Sequence, residues 1–173
     1  MAHVILARLD ARDRALFQRW SVRERASRTT RVFWTVLTHL GGVSCSVAAA
    51  TLPLLSHGAL GAAARQALAT LIVSHLVVQL VKRTVGRPRP SLGVGCHALV
   101  HEPDRFSFPS GHSAAAMSVA FVYALAFPAL AVVLIPLAML VGMSRVCLGV
   151  HYPGDVLIGQ LIAVLTAIPL ALG

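Results

Sequence analysis

The sequence predicts an all-α fold, a polytopic bundle of about five transmembrane helices preceded by an amphipathic helix at the membrane interface. Hydrophobic residues make up 57% of the chain and charged residues only 12%, about half the charged fraction of an ordinary soluble domain. The mean hydropathy of +0.76 agrees with this imbalance. Apolar runs of about 20 residues recur along the chain, and that length crosses a ~30 Å hydrocarbon core. These observations exclude an ordinary soluble domain.

Residues 1–31 differ in composition from the rest and form the first predicted unit, which a membrane domain over residues 32–173 follows. The first unit holds eight arginines against three acidic residues. On a helix, one face would collect the apolar side chains of Leu9, Leu16, Phe17 and Trp20. Arg12 and Arg19 lie toward the other face, which predicts a helix in the plane of the lipid headgroups. The alternative is a solvated basic arm that sets the topology by charge alone.

Five apolar stretches are the predicted transmembrane helices, and they cover residues 32–55, 66–82, 113–127, 129–148 and 156–172. The third stretch is short, and its helix has room to begin earlier, at Gly111. Pro153 suits the first position of the last helix, because a residue there has no helical partner for its N–H. That start leaves His151 just outside the helix and Asp155 within the first turn.

The polar stretch 83–110, between the second and third predicted helices, is where the chain leaves the membrane. Residues that interrupt a helix stand at Gly86, Pro88, Pro90, Gly93 and Gly95. Connections of this length in compact domains are usually functional or disordered. We therefore expect this stretch to form a lid that faces the lipid headgroups.

Three motifs carry chemistry, and each stands where a predicted helix begins or ends. They are K-x6-R-P at Lys82, Arg89 and Pro90, P-S-G-H at Pro109, Ser110, Gly111 and His112, and S-R-x5-H-x3-D at Ser144, Arg145, His151 and Asp155. Together they supply three cationic side chains, a hydroxyl and a backbone N–H as donors, and two imidazoles with one carboxylate. Phosphoryl transfer without a metal needs such a set, which consists of hydrogen-bond donors to the phosphate, a nucleophile and a group that carries protons. The order of the helices brings all three motifs to one face of the membrane.

These motifs resemble, at every position, the signature of the type 2 phosphatidic acid phosphatase family, and the resemblance covers roughly residues 30 to 172. It implies a membrane-embedded lipid phosphate phosphatase that forms a phosphohistidine. His151 would attack phosphorus, Asp155 would hold its ring and stabilise its positive charge, and His112 would move protons. The groups expected to bind the non-bridging phosphate oxygens are Lys82, Arg89, Ser110, Arg145 and the N–H of Gly111.

A second site is not predicted, although one loop collects several metal-binding residue types. These residues are His97, His101, Glu102 and Asp104. Cys96 nearby lacks a partner motif and no second pair of ligands appears, so a surface loop in contact with the headgroup is the better interpretation. We expect neither a metal nor another cofactor.

The cysteines and the net charge indicate little beyond this. Cys45, Cys96 and Cys147 form no C-x-x-C motif, and a bond between Cys96 and Cys147 would need an oxidising environment on the active-site side. The net charge of +9 does not predict a nucleic-acid partner, because the basic residues outside the N-terminal unit lie mostly in the motifs.

The predicted topology puts the N-terminus and the three motifs on the same side of the cell (inner) membrane, because two predicted crossings precede the first two motifs and four precede the third. That side would carry fourteen of the fifteen lysines and arginines, with Arg65 on the other side. The positive-inside rule then favours the cytoplasm for the catalytic face. The family resemblance favours the opposite direction, since many bacterial members act on the outer face.

The expected function is hydrolysis of a phosphomonoester or diphosphate on a lipid whose tail stays in the bilayer. Candidate substrates are polyprenyl (di)phosphates, polyprenyl-linked sugar phosphates, phosphatidylglycerophosphate and phosphatidate. One alternative is a phosphotransferase that passes the phosphate from the same phosphohistidine to an acceptor other than water. Another is a noncatalytic lipid-binding protein, which the presence of both histidines and Asp155 disfavours. The sequence indicates no oligomeric state.

Overall fold

A computed structural model of the chain describes residues 2–22, 26–94, 96–102 and 104–172, and leaves the side chains of residues 2–9 and 172 undescribed. Helices account for nearly all of the regular structure in these ranges. The only β pairing among them is an isolated antiparallel bridge between Pro88 and Phe106. The prediction of an all-α fold is confirmed.

The described residues form eight α-helices and two short 3-10 turns. The helices are α1 (Ala2–Trp20), α2 (Arg28–Leu40), α3 (Val43–Thr51), α4 (Gly58–Val85), α5 (Pro90–Gly93), α6 (Gly111–Ala126), α7 (Ala131–Cys147) and α8 (Pro153–Leu172), and the 3-10 turns are Leu52–Leu55 and Pro128–Leu130.

Three segments within the described ranges are long and apolar enough to cross a membrane: Gly58–Val85, Pro128–Cys147 and Pro153–Ala171. The first predicted span is not continuous, because the chain bends by 43° between α2 and α3 at Gly41 and Gly42. Glycine is a poor helix former, and a Cβ at Gly41 would collide with the Val141 side chain. The bent pair counts as a fourth span if it crosses as one unit. Helix α6 is apolar but has only 16 residues.

Helix α6 lies at the centre of the bundle and packs against α4, α7 and α8. Small side chains fill these contacts, and Ala67, Ala163 and Ala167 are fully buried. Small residues let helix backbones approach closely, which is how membrane helices gain packing energy. A Cβ at Gly142 would lie 2.6 Å from both Val156 and Gln160, so the crossing of α7 and α8 depends on this glycine.

Large apolar side chains cover the outside of the bundle, where a soluble protein would have polar ones. Leu76, Leu80, Val132 and Leu157 are each more than 60% exposed. Exposed apolar surface of this extent marks contact with lipid. The bundle is therefore a multi-pass membrane protein, in agreement with its composition.

The predicted N-terminal helix is present as α1, but its apolar face is divided. Phe17 turns inward, where it is 1% exposed and meets the Tyr152 ring edge-on at 5.4 Å. Leu16 and Trp20 are each 40% exposed. The Leu9 side chain lies outside the described residues, so that part of the predicted face has no structural account. Helix α1 packs on α7 and α8, in contrast to the alternative of a solvated basic arm.

Candidate active site

The three motifs come together at one end of the bundle, as their places at helix ends require. Lys82 lies in the last turn of α4, Ser110 is the N-cap of α6, and Arg145 lies in the last turn of α7. Helix α8 begins at Pro153, so His151 stands just before it and Asp155 in its first turn. Both expectations about the start of α8 are confirmed.

Lys82 and Arg89 form a buried cation pair that Asp104 bridges. Lys82 is 5% exposed and Arg89 is fully buried. The Asp104 carboxylate accepts from Lys82 Nζ at 2.8 Å through Oδ2 and from Arg89 Nη2 at 3.0 Å through Oδ1. Burial alone would raise the pKa of Asp104, but Lys82, Arg89 and the Phe106 N–H outweigh it and lower that pKa. Asp104 is therefore ionised at neutral pH.

Arg145 is the third predicted phosphate ligand, and it is only 2% exposed. Its Nη1 donates to Thr38 Oγ1 at 2.7 Å. Its Nε and Nη2 are buried and find no hydrogen-bond partner among the described residues. A buried guanidinium with unmet donors is costly unless an anion satisfies them. Arg145 is thus suited to bind an anionic oxygen.

His151 is held in one tautomer. Its Nδ1 lies 2.7 Å from the carbonyl oxygen of Ser107, which can only accept, so Nδ1 carries the proton. Asp155 Oδ2 is farther from Nδ1, at 3.6 Å. Burial lowers the pKa of His151 to about 4, although Asp155 acts to raise it. The ring is therefore neutral at pH 7, and its lone pair is on Nε2, which accepts a long hydrogen bond from Arg89 Nη1 at 3.4 Å.

Asp155 is fully buried, and strong donors surround its carboxylate. Oδ1 accepts from Arg87 Nη1 at 2.7 Å, and Oδ2 accepts from the Tyr152 N–H at 2.8 Å. A buried carboxylate needs such partners to stay charged. The closest support of the His151 ring is thus the Ser107 carbonyl, with Asp155 contributing from a greater distance than the motif alone predicts.

The start of α6 presents backbone N–H groups to the site. Ser110 is fully buried, and its Oγ accepts from Ser113 Oγ at 2.9 Å while it caps the helix. Gly111 and His112 follow as the first two helical residues. A helix N-terminus carries partial positive charge and unpaired N–H groups, so this end favours an anion. A Cβ at Gly159 would lie 2.5 Å from the Ser110 carbonyl, so α8 must have a glycine there.

A cavity of about 470 Å³ connects the cation pair to the apolar wall between α3 and α4. Its polar end is lined by Lys82, Arg89, Asp104, Gly111, His112 and His151. Its apolar part is lined by Val43, Val47, Leu68, Leu71, Ile72 and Leu76. Ser110, Arg145 and Asp155 are buried in the surrounding protein and do not belong to this lining. The cavity joins a charged head region to a surface that faces lipid.

Four residues of this site were not predicted as part of it. Ser107 and Thr38 contribute a carbonyl and a hydroxyl, and no motif marks either contact. Asp104 was considered only for a metal site, and Arg87 is not one of the signature positions of the three motifs. The described part of the chain holds no group of three or more histidine, cysteine, aspartate or glutamate side chains suited to a metal ion. Cys45, Cys96 and Cys147 are free thiols.

An all-helical membrane bundle with a buried cation cluster, two imidazoles and a cavity that is charged at one end and apolar at the other defines an integral membrane protein with a candidate anion-binding site. Residues 63–172 match the PAP2 superfamily. Because that match covers well over half of the chain and includes all three motifs, the chain belongs to the PAP2 superfamily.

Curated relatives align with about half of the chain. It is 40% identical to the lipid A 1-phosphatase of Rhizobium johnstonii over 95 residues, 52% of this chain and 39% of the relative. It is 37% identical to the decaprenylphosphoryl-5-phosphoribose phosphatase of Mycobacterium tuberculosis over 92 residues, 50% of this chain and 48% of the relative. The chain thus spans half or less of the length of these relatives.

Two solved structures share the fold over nearly the whole chain. LpxE of Aquifex aeolicus superposes with a TM-score of 0.80 at 24% identity, over 92% of this chain and 94% of its own. The PAP2-type phosphatidylglycerolphosphate phosphatase of Bacillus subtilis superposes with a TM-score of 0.75 at 26% identity, over 94% of this chain and 84% of its own. Both likenesses extend beyond the region matched by the family.

Proposed function

We propose that this protein is a metal-independent lipid phosphate phosphatase that works through a phosphohistidine on His151. The observation that carries the proposal is the tautomer of His151, whose Nδ1–H donates to the Ser107 carbonyl and whose lone pair is therefore on Nε2, beside Arg89. A neutral imidazole with a fixed ring is a competent nucleophile. The phosphatase names of the relatives support the same reaction.

In the first step, His151 Nε2 attacks phosphorus and a P–N bond forms as the bond to the leaving oxygen breaks. The leaving oxygen takes the electron pair of that bond, and His112, protonated once the anionic phosphate is bound beside it, donates a proton to this oxygen. Lys82, Arg89 and Arg145, with the N–H groups at the start of α6, stabilise the charge on the non-bridging oxygens. The imidazole of His151 becomes cationic, and the nearby carboxylate of Asp155 favours that form.

In the second step, water attacks the phosphorus of the phosphohistidine. The now neutral His112 accepts a proton from this water, which is the reverse of its first role. The P–N bond breaks and its electron pair returns to Nε2 of His151. Inorganic phosphate leaves, and the enzyme regains its starting protonation state.

The cavity supports a lipid as the substrate. Ile72 and Leu76 line its apolar part and are 51% and 62% exposed on the outside of α4. A lipid could therefore keep its tail in the bilayer while its phosphate reaches the cation cluster. The names of the relatives favour a polyprenyl-linked sugar phosphate or a lipid A phosphate, and polyprenyl (di)phosphates, phosphatidylglycerophosphate and phosphatidate complete the panel to be tested.

Hydrolysis is expected to need no divalent metal and to be inhibited by vanadate. The phosphate ligands are cationic, so they would repel a metal ion and favour an oxyanion that resembles the transition state. Purified protein in detergent would be assayed for phosphate release from each lipid of the panel, in excess chelator and with added Mg²⁺. Equal rates in both conditions support the mechanism, whereas activity that returns only with Mg²⁺ contradicts it.

Asp104 is expected to compete with the substrate phosphate. Its carboxylate occupies donors of both Lys82 and Arg89, so a phosphate that binds this pair has to displace it. Asp104→Asn removes the competing charge and should lower the inhibition constant for inorganic phosphate roughly tenfold, the effect of one charge-assisted hydrogen bond.

The matched control for Asp104 is Glu102→Gln, a carboxylate of the same loop that accepts from Ser91 and bonds neither cation. Glu102→Gln should leave phosphate inhibition unchanged. If Asp104→Asn instead raises the inhibition constant, Asp104 orients the cations and does not compete with the substrate.

The catalytic end is expected to share its membrane side with the N-terminus, and we place that side in the cytoplasm. Contact between α1 and the start of α8, through Asp13 Oδ1 and the Gly154 N–H at 2.7 Å, supports the shared side. The arginines of residues 1–31 support the direction. Single cysteines near residue 1 and in the loop near residue 100, in a background without native cysteines, would be labelled with a membrane-impermeant thiol reagent. Both should be protected in intact cells, and labelling of either one contradicts the assignment.

A further inference from the structure

Helix α1 carries two acidic residues that reach the catalytic end of the bundle, outside the region matched by the family. Asp13 Oδ2 accepts from Arg87 Nη1 at 2.7 Å, and Asp10 Oδ1 accepts from Arg87 Nη2 at 2.7 Å. The same Arg87 Nη1 donates to Asp155 Oδ1 at 2.7 Å. One guanidinium therefore connects the N-terminal helix to the carboxylate behind His151.

The contact is partly buried, and several further contacts hold it in place. The Asp13 and Arg87 side chains are 13% and 17% exposed. The Arg87 guanidinium also lies over the Tyr152 ring, 4.0 Å from its centroid. Asp13 Oδ1 accepts from the N–H of Gly154, the residue before Asp155, and a Cβ at Gly154 would lie 2.9 Å from Asp13 Oδ2. Solvent screens the attraction within such partly buried pairs less than it screens exposed ones.

The charges of this network complement the proposed intermediate. The connected side chains are Asp10, Asp13, Arg14, Arg87 and Asp155. Three carboxylates against two guanidinium groups leave one negative charge in excess. The positive charge that His151 gains when it is phosphorylated would balance this excess.

We propose that Asp13 is a positioning residue of the active site, which acts through Arg87 to hold the Asp155 carboxylate in place and ionised behind His151. The N-terminal helix is then part of the catalytic centre, beyond any role in topology. This inference rests on the proposed hydrolysis through His151. Because Asp13 touches neither His151 nor the cavity, its removal should affect the chemical step and not the binding of the lipid.

The test compares kcat and KM for Asp13→Asn, Arg87→Gln, the double variant and Arg87→Lys, with one lipid phosphate that the wild-type protein hydrolyses. Asparagine can still accept from the Gly154 N–H, so Asp13→Asn removes the charge with little change of shape. We expect kcat to fall roughly tenfold in Asp13→Asn and roughly 100-fold in Arg87→Gln, at nearly unchanged KM, as expected for lost charge-assisted hydrogen bonds. Arg87→Lys should recover part of the loss.

The double variant decides whether Asp13 acts through Arg87. Residues that act through one another give non-additive effects. Asp13→Asn should therefore reduce kcat no further once Arg87 is glutamine. The matched control is Arg12→Gln, which also changes one charge of α1 but lies on its exposed face. Arg12→Gln should keep the wild-type kcat.

Three results would overturn the inference while leaving the proposed function intact: a wild-type kcat in Asp13→Asn, independent multiplication of the two effects in the double variant, or an equal loss in Arg12→Gln. A purely structural role would lower the thermal midpoint and the yield of folded protein but leave kcat per folded molecule unchanged. If the wild-type protein hydrolyses no lipid of the panel, the proposed function fails and this inference fails with it.

Discussion

Replacing His151 by alanine is expected to abolish turnover, with a loss of at least about 10⁴-fold, because the nucleophile of the reaction disappears. His112→Ala is expected to lower kcat by roughly 10² to 10⁴-fold, the range for a lost general acid and base. With a substrate whose leaving group needs little protonation, the His112 variant should still form phosphohistidine. Quenched-flow measurement of released phosphate and of protein-bound phosphate separates the two roles.

The matched control for these variants is His57→Ala. His57 is exposed and stands at the start of α4, at the end of this helix opposite Lys82. It should keep wild-type kinetics. Phosphoenzyme that accumulates in His151→Ala but not in His112→Ala would reverse the assignment of the nucleophile.

Arg145→Met is expected to lower kcat/KM by about 10² to 10³-fold, the usual cost of removing one donor to the transition state. The same change should not lower the midpoint of thermal unfolding. Arg145 Nε and Nη2 are buried without partners in the described structure, so methionine removes an unsatisfied charge and fills much the same volume. Loss of activity at unchanged or higher stability is the signature of a group kept for binding an anion.

Arg145→Lys provides the comparison, since it keeps the charge but loses the planar fork that fits phosphate. It should fall between the wild-type protein and Arg145→Met in kcat/KM. Activity and thermal stability would be measured on the same detergent-purified samples. A fall in stability that parallels the loss of activity in Arg145→Met would mean that Arg145 is structural.

The sequence predicted the helical fold and the convergence of the motifs because both depend on local signals. Apolar stretches of membrane length mark the helices, and Pro153 marks the start of α8. The residues of each motif lie within one or two turns of a helix end. Because successive membrane helices alternate in direction, the helix ends that carry the motifs lie on the same side of the membrane.

The parts that were missed depend on contacts between residues far apart in the chain. The close approach of α2 to α7 at Gly41 and Val141 is one such contact, and no local pattern reveals it. The bond from His151 to Ser107 uses a backbone carbonyl, which every residue has. Asp13 pairs with Arg87, 74 residues away, and Asp104 pairs with Lys82, 22 residues away. Nothing in the sequence around either carboxylate marks these partners.

The central claim is that phosphate passes through Nε2 of His151, and trapping the intermediate tests it most directly. Purified protein would be mixed with a radiolabelled lipid phosphate from the panel in excess chelator, quenched in base within milliseconds, and analysed by mass spectrometry of its peptides. The account predicts a base-stable, acid-labile phosphate on the peptide that contains His151, formed and lost at rates that match turnover. Phosphate release without any such adduct, or an adduct on His112 or Ser110, would contradict it.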